Sequence, residues 1–308
     1  MNKQGKRRFD EVTQRFKVHG GIEWTKTVEI DGNERQGYTI NPIGGCYHGC
    51  QWHMPDGKVA ECYAKTVAER LAQKAYPYGF EHVYLRPNEL KKPASVQTPS
   101  KFFLDSMSDV FGHWLPDEAI LSVIKMAQDN PRHIFQCLTK NAKRILQFKQ
   151  YLPPNLHIGV SSAPDVLYGK RLSFRQQVAY TETALEVLAQ LPYRITWFSF
   201  EPLSWDMASV VAKYPGVLDW AVIGAASEGN KYYQPDKNHV SKLLSVLDGT
   251  NTPVFFKGNL GWSPWRESFP STDFVDTANY LEFTPVPEHV TMPSQLAADS
   301  GFTLGVTA

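Results

Sequence analysis

The stretch HIFQCLTKNAKRILQFKQYLPPNLHIGVSS, residues 133–162, has two short apolar runs on either side of one segment with helical spacing. The runs HIFQCLT (133–139) and LHIGVSS (156–162) are too continuously apolar to have a solvated face, as is typical of buried parallel strands. The segment NAKRILQFKQYL (141–152) predicts a helix. Strand, helix and strand in this order predict a βαβ unit.

The same alternation continues in both directions along the chain. Further apolar runs predict strands at 37–43, 101–106, 195–201, 218–226 and 252–258. Helical spacing predicts helices at 116–128, 177–191 and 236–247, and another after Cys62. Seven strands favour an α/β fold with parallel strands in a complete or partial (β/α) barrel over a smaller open sheet. We predict an N-terminal basic extension at 1–36, the barrel at 37–260 and an irregular segment packed on it at 261–308.

The composition limits the kind of protein. A chain of 308 residues with 42% hydrophobic residues can bury a sizeable core without disulfides. The net charge of +1 gives no global field that would favour nucleic acid or a membrane. No apolar run approaches the roughly 20 residues of a spanning helix, and the N-terminus is too polar for a secretory signal. We therefore expect a cytoplasmic protein without membrane contact.

Polar residues stand where the predicted strands end. Active sites of parallel (β/α) barrels lie at the carboxyl ends of the strands, so we expect these side chains to share one mouth. The candidates are Asp105, Asp109, Thr139, Lys140, Ser161, Asp165, Glu201, Glu228 and Lys257.

Three of the four cysteines lie in GGCYHGCQWHMPDGKVAEC, residues 44–62. Three residues separate Cys46 from Cys50, and eleven separate Cys50 from Cys62. Cytoplasmic thiols stay reduced, so the cluster indicates a metal site or catalysis rather than disulfides. Cys46 follows the first predicted strand, and Cys62 begins a predicted helix whose dipole favours a thiolate. Cys137 lies in an apolar run and is expected to be a buried core thiol.

The residues leave several metal sites open. A structural zinc ion wants four ligands, and His48 or His53 would complete a Cys3His set. A catalytic zinc ion would take three protein ligands and a water. A [4Fe–4S] cluster normally takes four cysteines, and with three it keeps one iron open to a cofactor.

At this point the chain resembles a phage-associated three-Cys-motif family of uncharacterised, radical-SAM-like proteins. The resemblance begins with IEWT, YTINPIGGC and ECYAKTVAERL. It continues in family order through FFLDSMSDVFG, PRHIFQCLTKNAKRI, LHIGVSSAPD, ITWFSFEPL, LDWAVIGAASEG and PVFFKGNLG, covering roughly residues 22–261.

The resemblance implies a radical-SAM-type barrel with two cofactors. Cys46, Cys50 and Cys62 would bind a [4Fe–4S] cluster, whose open iron binds the amino and carboxylate groups of S-adenosylmethionine. It further implies an electron donor and allows a phage-encoded partner protein. Strand-end residues would hold the second cofactor and act on it. We assign catalytic roles to Lys140 and Glu201, and cofactor binding to Asp109, Ser161, Glu228 and Lys257.

The spacing of the second and third cysteines differs from that of the family, which has about two residues there. The insertion QWHMPDGKVAE, residues 51–61, brings His53 and Asp56 close enough to compete as metal ligands. Lengthening a loop costs only ~0.6 kcal/mol per doubling, so the ligand set can survive the insertion.

The substrate is less well defined by the sequence. Phage association suggests a nucleotide or nucleic acid by analogy, as does a basic N-terminal stretch. That stretch contains Lys3, Lys6, Arg7, Arg8, Arg15 and Lys17. The alternatives are a zinc-stabilised nucleic-acid-binding or adaptor protein without chemistry, and a metal-dependent hydrolase. The hydrolase is disfavoured because His133 and His157 lie near the beginnings of their strands.

Overall fold

Seven parallel strands form the main sheet of the part of the chain that the computed structural model describes. That part comprises residues 1–6, 9–11, 15–16, 21–26, 28–30, 33–191, 194–229, 231–270 and 283–294. The strands are β1 (Asn33–Ile40), β2 (Ser100–Leu104), β3 (Ile134–Thr139), β4 (Leu156–Ser161), β5 (Thr196–Phe200), β6 (Trp220–Ile223) and β7 (Val254–Phe256). Each strand pairs with the next one in chain order. No ladder joins β1 to β7 within the described ranges, so the sheet is a partial barrel, and the predicted fold class is confirmed.

A helix follows each of the first six strands and carries the chain to the next parallel strand, as a βαβ connection requires. The helices are α1 (Tyr63–Arg70), α2 (Asp117–Asp129), α3 (Ala142–Ile145), α4 (Phe174–Leu188), α5 (Ala208–Val211) and α6 (Lys237–Gly249). α4 begins in a capping box, because the Ser173 hydroxyl accepts from the Gln176 amide while the Gln176 side chain accepts from the Ser173 amide. The predicted helices are present, and only the short α5 was not predicted.

Shorter 3-10 segments and strands accompany the seven parallel strands and their six helices. The 3-10 segments are Glu23–Thr25, Gln73–Ala75, Pro87–Lys91, Pro93–Ser95 and Leu146–Tyr151. The remaining strands are Asn2–Lys3, Phe9–Asp10, Arg15–Phe16, Val28–Ile30, Ile43–Gly44, Gln51–His53, Val59–Glu61, Tyr84–Leu85, Val166–Leu167, Lys170–Arg171, Ala226–Glu228 and Lys231–Tyr233. Asn2–Lys3 and Val28–Ile30 pair antiparallel with β1, so residues of the predicted extension take part in the main sheet.

The 3-10 segment Glu23–Thr25 fills the interior of the partial barrel. The Trp24 ring packs edge-on against Phe103 and Trp197, with ring centroids 5.8 and 5.9 Å away. The Thr25 hydroxyl donates to the Gln136 side chain at 3.0 Å, and the Glu23 carboxylate accepts from the amide of Gly258, after β7, at 2.7 Å. The segment therefore links strands from both halves of the sheet and forms a floor beneath its mouth.

The larger hydrophobic core lies between the sheet and the helices. Cys137 on β3 is buried there, at 1% exposure, as expected from the sequence. Val286 and Met292 from the described part of the C-terminal segment pack into the same core. Arg7, Arg8 and Lys17 of the basic stretch lie outside the described residues. No described helix combines the length and hydropathy that crossing a bilayer requires.

Candidate functional site

The insertion between Cys50 and Cys62 folds into an antiparallel hairpin, here called the cysteine hairpin (residues 51–61). Gln51 pairs with Glu61, Trp52 with Ala60 and His53 with Val59. Cys50 and Cys62 directly flank the Gln51–Glu61 pair, so the register of the hairpin brings these two residues together at its base. The eleven inserted residues therefore do not separate the second cysteine from the third.

The three cysteines line one cavity of about 740 Å³, here called the outer cavity. Its wall includes His48, Lys65, His113 and Tyr168 as well as the thiols. Gly45 introduces Cys46 with a φ of 83°, and a Cβ there would lie 2.0 Å from the His82 carbonyl oxygen. Only glycine tolerates this backbone turn and close approach.

The thiols influence one another electrostatically. Burial raises the pKa of Cys50 to about 12, and the neighbouring Cys62 contributes to the increase. Burial also raises the pKa of Cys46 well above its usual value, with contributions from Asp109, Cys50 and Cys62. These two thiols are therefore protonated near neutral pH, and a metal that bound them would have to displace their protons.

Three thiols that share one cavity are the donors available to a metal here. In the described ranges, no three His, Cys, Asp or Glu side chains converge on one metal-ion position. In an iron–sulfur cube each cysteine binds a different iron, so such a cluster would require the thiols to share a chamber rather than a single point.

Asp109 is buried beneath the loop that carries Cys46 and Cys50, here called the cysteine loop (residues 44–50). It joins three segments of the chain. One carboxylate oxygen accepts from His48 Nε2 at 2.7 Å and from the Lys140 amide at 2.8 Å. The other accepts from the Phe111 amide at 2.9 Å. Burial opposes the charge, but the interaction with His48 and the other hydrogen bonds hold the Asp109 pKa below its usual range. Asp109 lines neither cavity described here, and its oxygens are occupied by protein donors.

The two histidines near the cysteines have different surroundings. His48 is 3% exposed and directs Nε2 to Asp109. His53 lies on the cysteine hairpin, where its amide donates to Asp165 at 2.7 Å, and it lines neither cavity.

A second cavity of about 290 Å³, here called the inner cavity, occupies the mouth of the partial barrel. It brings together four of the predicted strand-end residues, namely Lys140, Ser161, Glu201 and Lys257. Trp24, Phe103 and Leu138 also line it. Glu61 and Cys62 line both cavities, so the outer and inner cavities adjoin at the third cysteine.

Charged groups of both signs line the inner cavity. Lys257 Nζ forms an ion pair with the Glu201 carboxylate. A Cβ on Gly224 would lie 3.1 Å from atoms of both side chains, so the glycine leaves room for the pair. Burial opposes the charge of Lys140, but Cys50 and Cys62 in their ionised forms, together with Asp109, raise its pKa overall. Lys140 therefore stays protonated between the thiols and the inner cavity.

The cysteine hairpin and a second hairpin, here called the far hairpin (residues 226–233), both contribute to the wall of the inner cavity. Trp52, Met54 and Ala60 come from the first, and Ala226 and Ser227 from the second. Asp56 at the tip of the cysteine hairpin accepts from Lys231 Nζ at 2.6 Å and from the Tyr233 hydroxyl at 2.9 Å.

Glu228 belongs to this connection between the hairpins. Its carboxylate lies 3.4 Å from Lys58 Nζ and accepts from Tyr233 at 3.3 Å. The structure thus places Glu228 at the edge of the site, while the Asp56 carboxylate is hydrogen-bonded to Lys231 and Tyr233 of the far hairpin. Neither residue lines either cavity.

Some residues of the site were not predicted from the sequence. Ser199 lies on β5, two positions before Glu201. Because side chains two positions apart in a strand point to the same face, the sequence would have placed Ser199 on the face of Glu201. Trp24 reaches the inner cavity from the 3-10 segment. This tertiary contact has no signal in local periodicity.

Several solved structures of spore photoproduct lyase are similar to this chain. A cysteine-to-serine mutant has a TM-score of 0.46 and 11% identity over 75% of this chain and 78% of its own. A tyrosine-to-phenylalanine mutant has a TM-score of 0.45 and 10% identity over 76% and 79%. A double mutant with bound AdoMet and dinucleoside spore photoproduct has a TM-score of 0.40 and 10% identity over 77% and 73%. At these identities the likenesses carry no information on activity.

Sequence similarity defines the relationship of the chain more closely. A comparison with curated proteins finds no match. A family model described as a protein of unknown function, DUF5131, matches residues 20–273. Because the match covers most of the 308 residues, the chain belongs to this family of unknown function.

Proposed function

We propose that this protein is a radical S-adenosylmethionine enzyme that holds a [4Fe–4S] cluster on Cys46, Cys50 and Cys62. The observation that carries the proposal is the junction of the two cavities at Cys62. A chamber with three thiols lies directly against a polar cavity at the carboxyl ends of parallel strands. This is where a barrel enzyme has its reaction site.

The protein residues would bind and orient the second cofactor. Lys140, Ser161, Glu201 and Lys257 line the inner cavity and offer both a cation and an anion to a zwitterionic ligand. We propose that these four residues hold S-adenosylmethionine, with Lys140 and Glu201 closest to the reaction. Asp109 would position the cysteine loop and the Lys140 backbone through its hydrogen bonds. Glu228 would act through the connection between the two hairpins.

The chemistry itself belongs to the cofactors. Cys46, Cys50 and Cys62 would hold a [4Fe–4S] cluster with one iron unligated by protein, which would supply the electron for reductive cleavage of the sulfonium of S-adenosylmethionine. The chain would exclude water from this step through the two hairpins and the aromatic floor formed by Trp24 and Phe103.

The proposal extends to partners and location. An external electron donor is required, because no redox group other than the cluster is proposed. We propose a nucleotide or nucleic-acid substrate, and a phage origin with a phage-encoded partner, from the family resemblance alone. A cytoplasmic location would keep the thiols reduced.

Anaerobic purification and reconstitution with iron and sulfide would test the proposal. We expect a brown protein with the absorption and electron paramagnetic resonance of a [4Fe–4S] cluster. On reduction with S-adenosylmethionine it should release 5′-deoxyadenosine. A colourless protein with stoichiometric zinc and no 5′-deoxyadenosine would instead support the zinc-stabilised adaptor and overturn the radical mechanism.

A further inference from the structure

Three hydrogen-bond donors without a protein partner belong to residues that line the inner cavity. They are Trp24 Nε1, Trp52 Nε1 and the Ser199 hydroxyl, and each of these atoms is buried. Trp24 is 4% exposed and Ser199 is 1% exposed. Buried donors normally have partners, because leaving one unsatisfied costs free energy. A ligand with acceptor atoms would satisfy all three donors.

Unpartnered indole nitrogens also occur elsewhere, at Trp114 and Trp205, and neither residue lines either cavity. A single unpartnered indole is therefore weak evidence for a ligand. What distinguishes the inner cavity is that three residues with such donors, from separate parts of the chain, line it. They come from the N-terminal 3-10 segment, the cysteine hairpin and β5.

Two charged groups of the cavity have partners in the protein close by. Lys257 pairs with Glu201, and the Glu23 carboxylate accepts from the Gly258 amide at 2.7 Å. Lys140 Nζ lies over the Trp52 ring, 5.9 Å from its centroid. The three buried donors are neutral groups, which suit uncharged acceptors such as carbonyl oxygens and ring nitrogens.

The lining of the cavity favours a flat ligand. Trp24, Trp52 and Phe103 give it aromatic walls, and aromatic side chains pack well against flat rings. The volume of the cavity is about 290 Å³. We propose that the inner cavity contains a nucleobase subsite, in which Trp24, Trp52 and Ser199 donate to acceptor atoms on the edge of the base.

This inference rests on the proposed function for its biological meaning, since the base can come from the adenine of the cofactor or from the substrate. Binding itself does not require the cluster. Calorimetric titration of the full-length chain as purified, with adenosine, guanosine, cytidine and thymidine in turn, would test the subsite. Ribose is the control for the sugar. Binding of adenosine alone would assign the base to the cofactor, and binding of another nucleoside would assign it to the substrate.

Substitutions that remove one of the three donors test whether nucleosides bind at the inner cavity. We expect Ser199→Ala and Trp24→Phe each to weaken nucleoside binding about three- to ten-fold, the effect of one lost hydrogen bond. Trp205→Phe removes an equally unpartnered indole outside the cavity and should leave the affinity unchanged. If Trp24→Phe fails to fold, Ser199→Ala alone decides the question.

Two results would overturn the nucleobase subsite. One is the absence of saturable binding for every nucleoside at millimolar concentration. The other is nucleoside binding that Ser199→Ala leaves unchanged. A chain that binds nucleosides but never releases 5′-deoxyadenosine would refute the proposed reaction and support the subsite.

Discussion

The outer and inner cavities adjoin at Cys62 but are assembled in different ways. All three thiols of the outer cavity come from one segment, residues 46–62, and the cysteine hairpin returns Cys62 to the side of Cys50. The inner cavity takes its polar groups from the ends of separate strands and its floor from Trp24. A local motif thus builds the proposed cluster site, whereas only the complete sheet builds the proposed binding site. The two cavities should therefore respond differently to mutation.

Loss of a thiol should have the largest effect and should be confined to the outer cavity. We expect Cys46→Ala, Cys50→Ala and Cys62→Ala each to abolish stable cluster binding, because three thiols already leave one iron without a protein ligand. Iron and sulfide content per chain and the visible absorption spectrum after reconstitution measure this. Cys62→Ser is a useful addition, because it preserves the volume where the cavities adjoin.

The fourth cysteine provides the matched control. Cys137→Ala should retain the full cluster and lose only packing, about 1 kcal/mol of unfolding free energy. A variant that retains full iron and sulfide after losing Cys46, Cys50 or Cys62 would show that the ligand set is wrong.

Asp109→Ala should destabilise the connection between the outer cavity and the sheet. The substitution leaves His48, the Phe111 amide and the Lys140 amide without their common acceptor. We expect the unfolding free energy to fall by about 3 kcal/mol, the cost of unsatisfied buried donors. Urea denaturation measures this loss, and iron content should fall with it because the cysteine loop is released.

Asp165→Ala is the control for Asp109→Ala. The Asp165 carboxylate also accepts two hydrogen bonds, from the His53 amide and Gln177, but it is partly exposed. Its loss should cost less than that of Asp109, since water replaces the missing acceptor. Equal losses of unfolding free energy in the two variants would contradict the proposal that Asp109 holds the cysteine loop against the sheet.

The contrast between the cavities also explains what the sequence could predict. Continuous apolar runs and intervening helical spacing identified all seven parallel strands, because burial on both faces leaves a strong local pattern. Four polar positions at the ends of β3, β4, β5 and β7 lie together at the inner cavity, as their places in the sequence suggest. The contribution of Trp24 was not predictable, because it depends on a segment near the N-terminus packing inside a sheet formed later in the chain. The cysteine hairpin was treated only as an insertion, although its register decides where Cys62 lies.

Lys257→Met should affect the inner cavity alone. It leaves the Glu201 carboxylate without its cation in a largely buried position. We expect a loss of about 2 kcal/mol in unfolding free energy, because an unpaired charge is costly there. The double variant Glu201→Gln with Lys257→Met should recover part of it by removing both charges, and denaturant titration compares the two.

The outer cavity should not respond to this change. Lys257→Met should keep the cluster content of the unmodified chain. Lys242→Met breaks the exposed pair with Asp206 and should change neither the unfolding free energy nor the cluster content. If the double variant were less stable than Lys257→Met, the explanation by an unpaired Glu201 charge would be wrong.

The smallest effect is expected where the two hairpins meet. Asp56, Lys58 and Lys231 are exposed and Glu228 is half-buried. Ion pairs in such positions contribute little to stability and are weakened by salt. Lys231→Gln should therefore accelerate hydrogen exchange in peptides covering 51–61 and 226–233 by no more than a few-fold, and added salt should produce the same change in the unmodified chain. Lys213→Gln breaks a pair of similar length and exposure with Glu182 on the helical side and should leave both peptides unchanged. Faster exchange in the two hairpins together would show that they open as one cover of the inner cavity, while unchanged exchange in Lys231→Gln would mean that backbone pairing alone holds them.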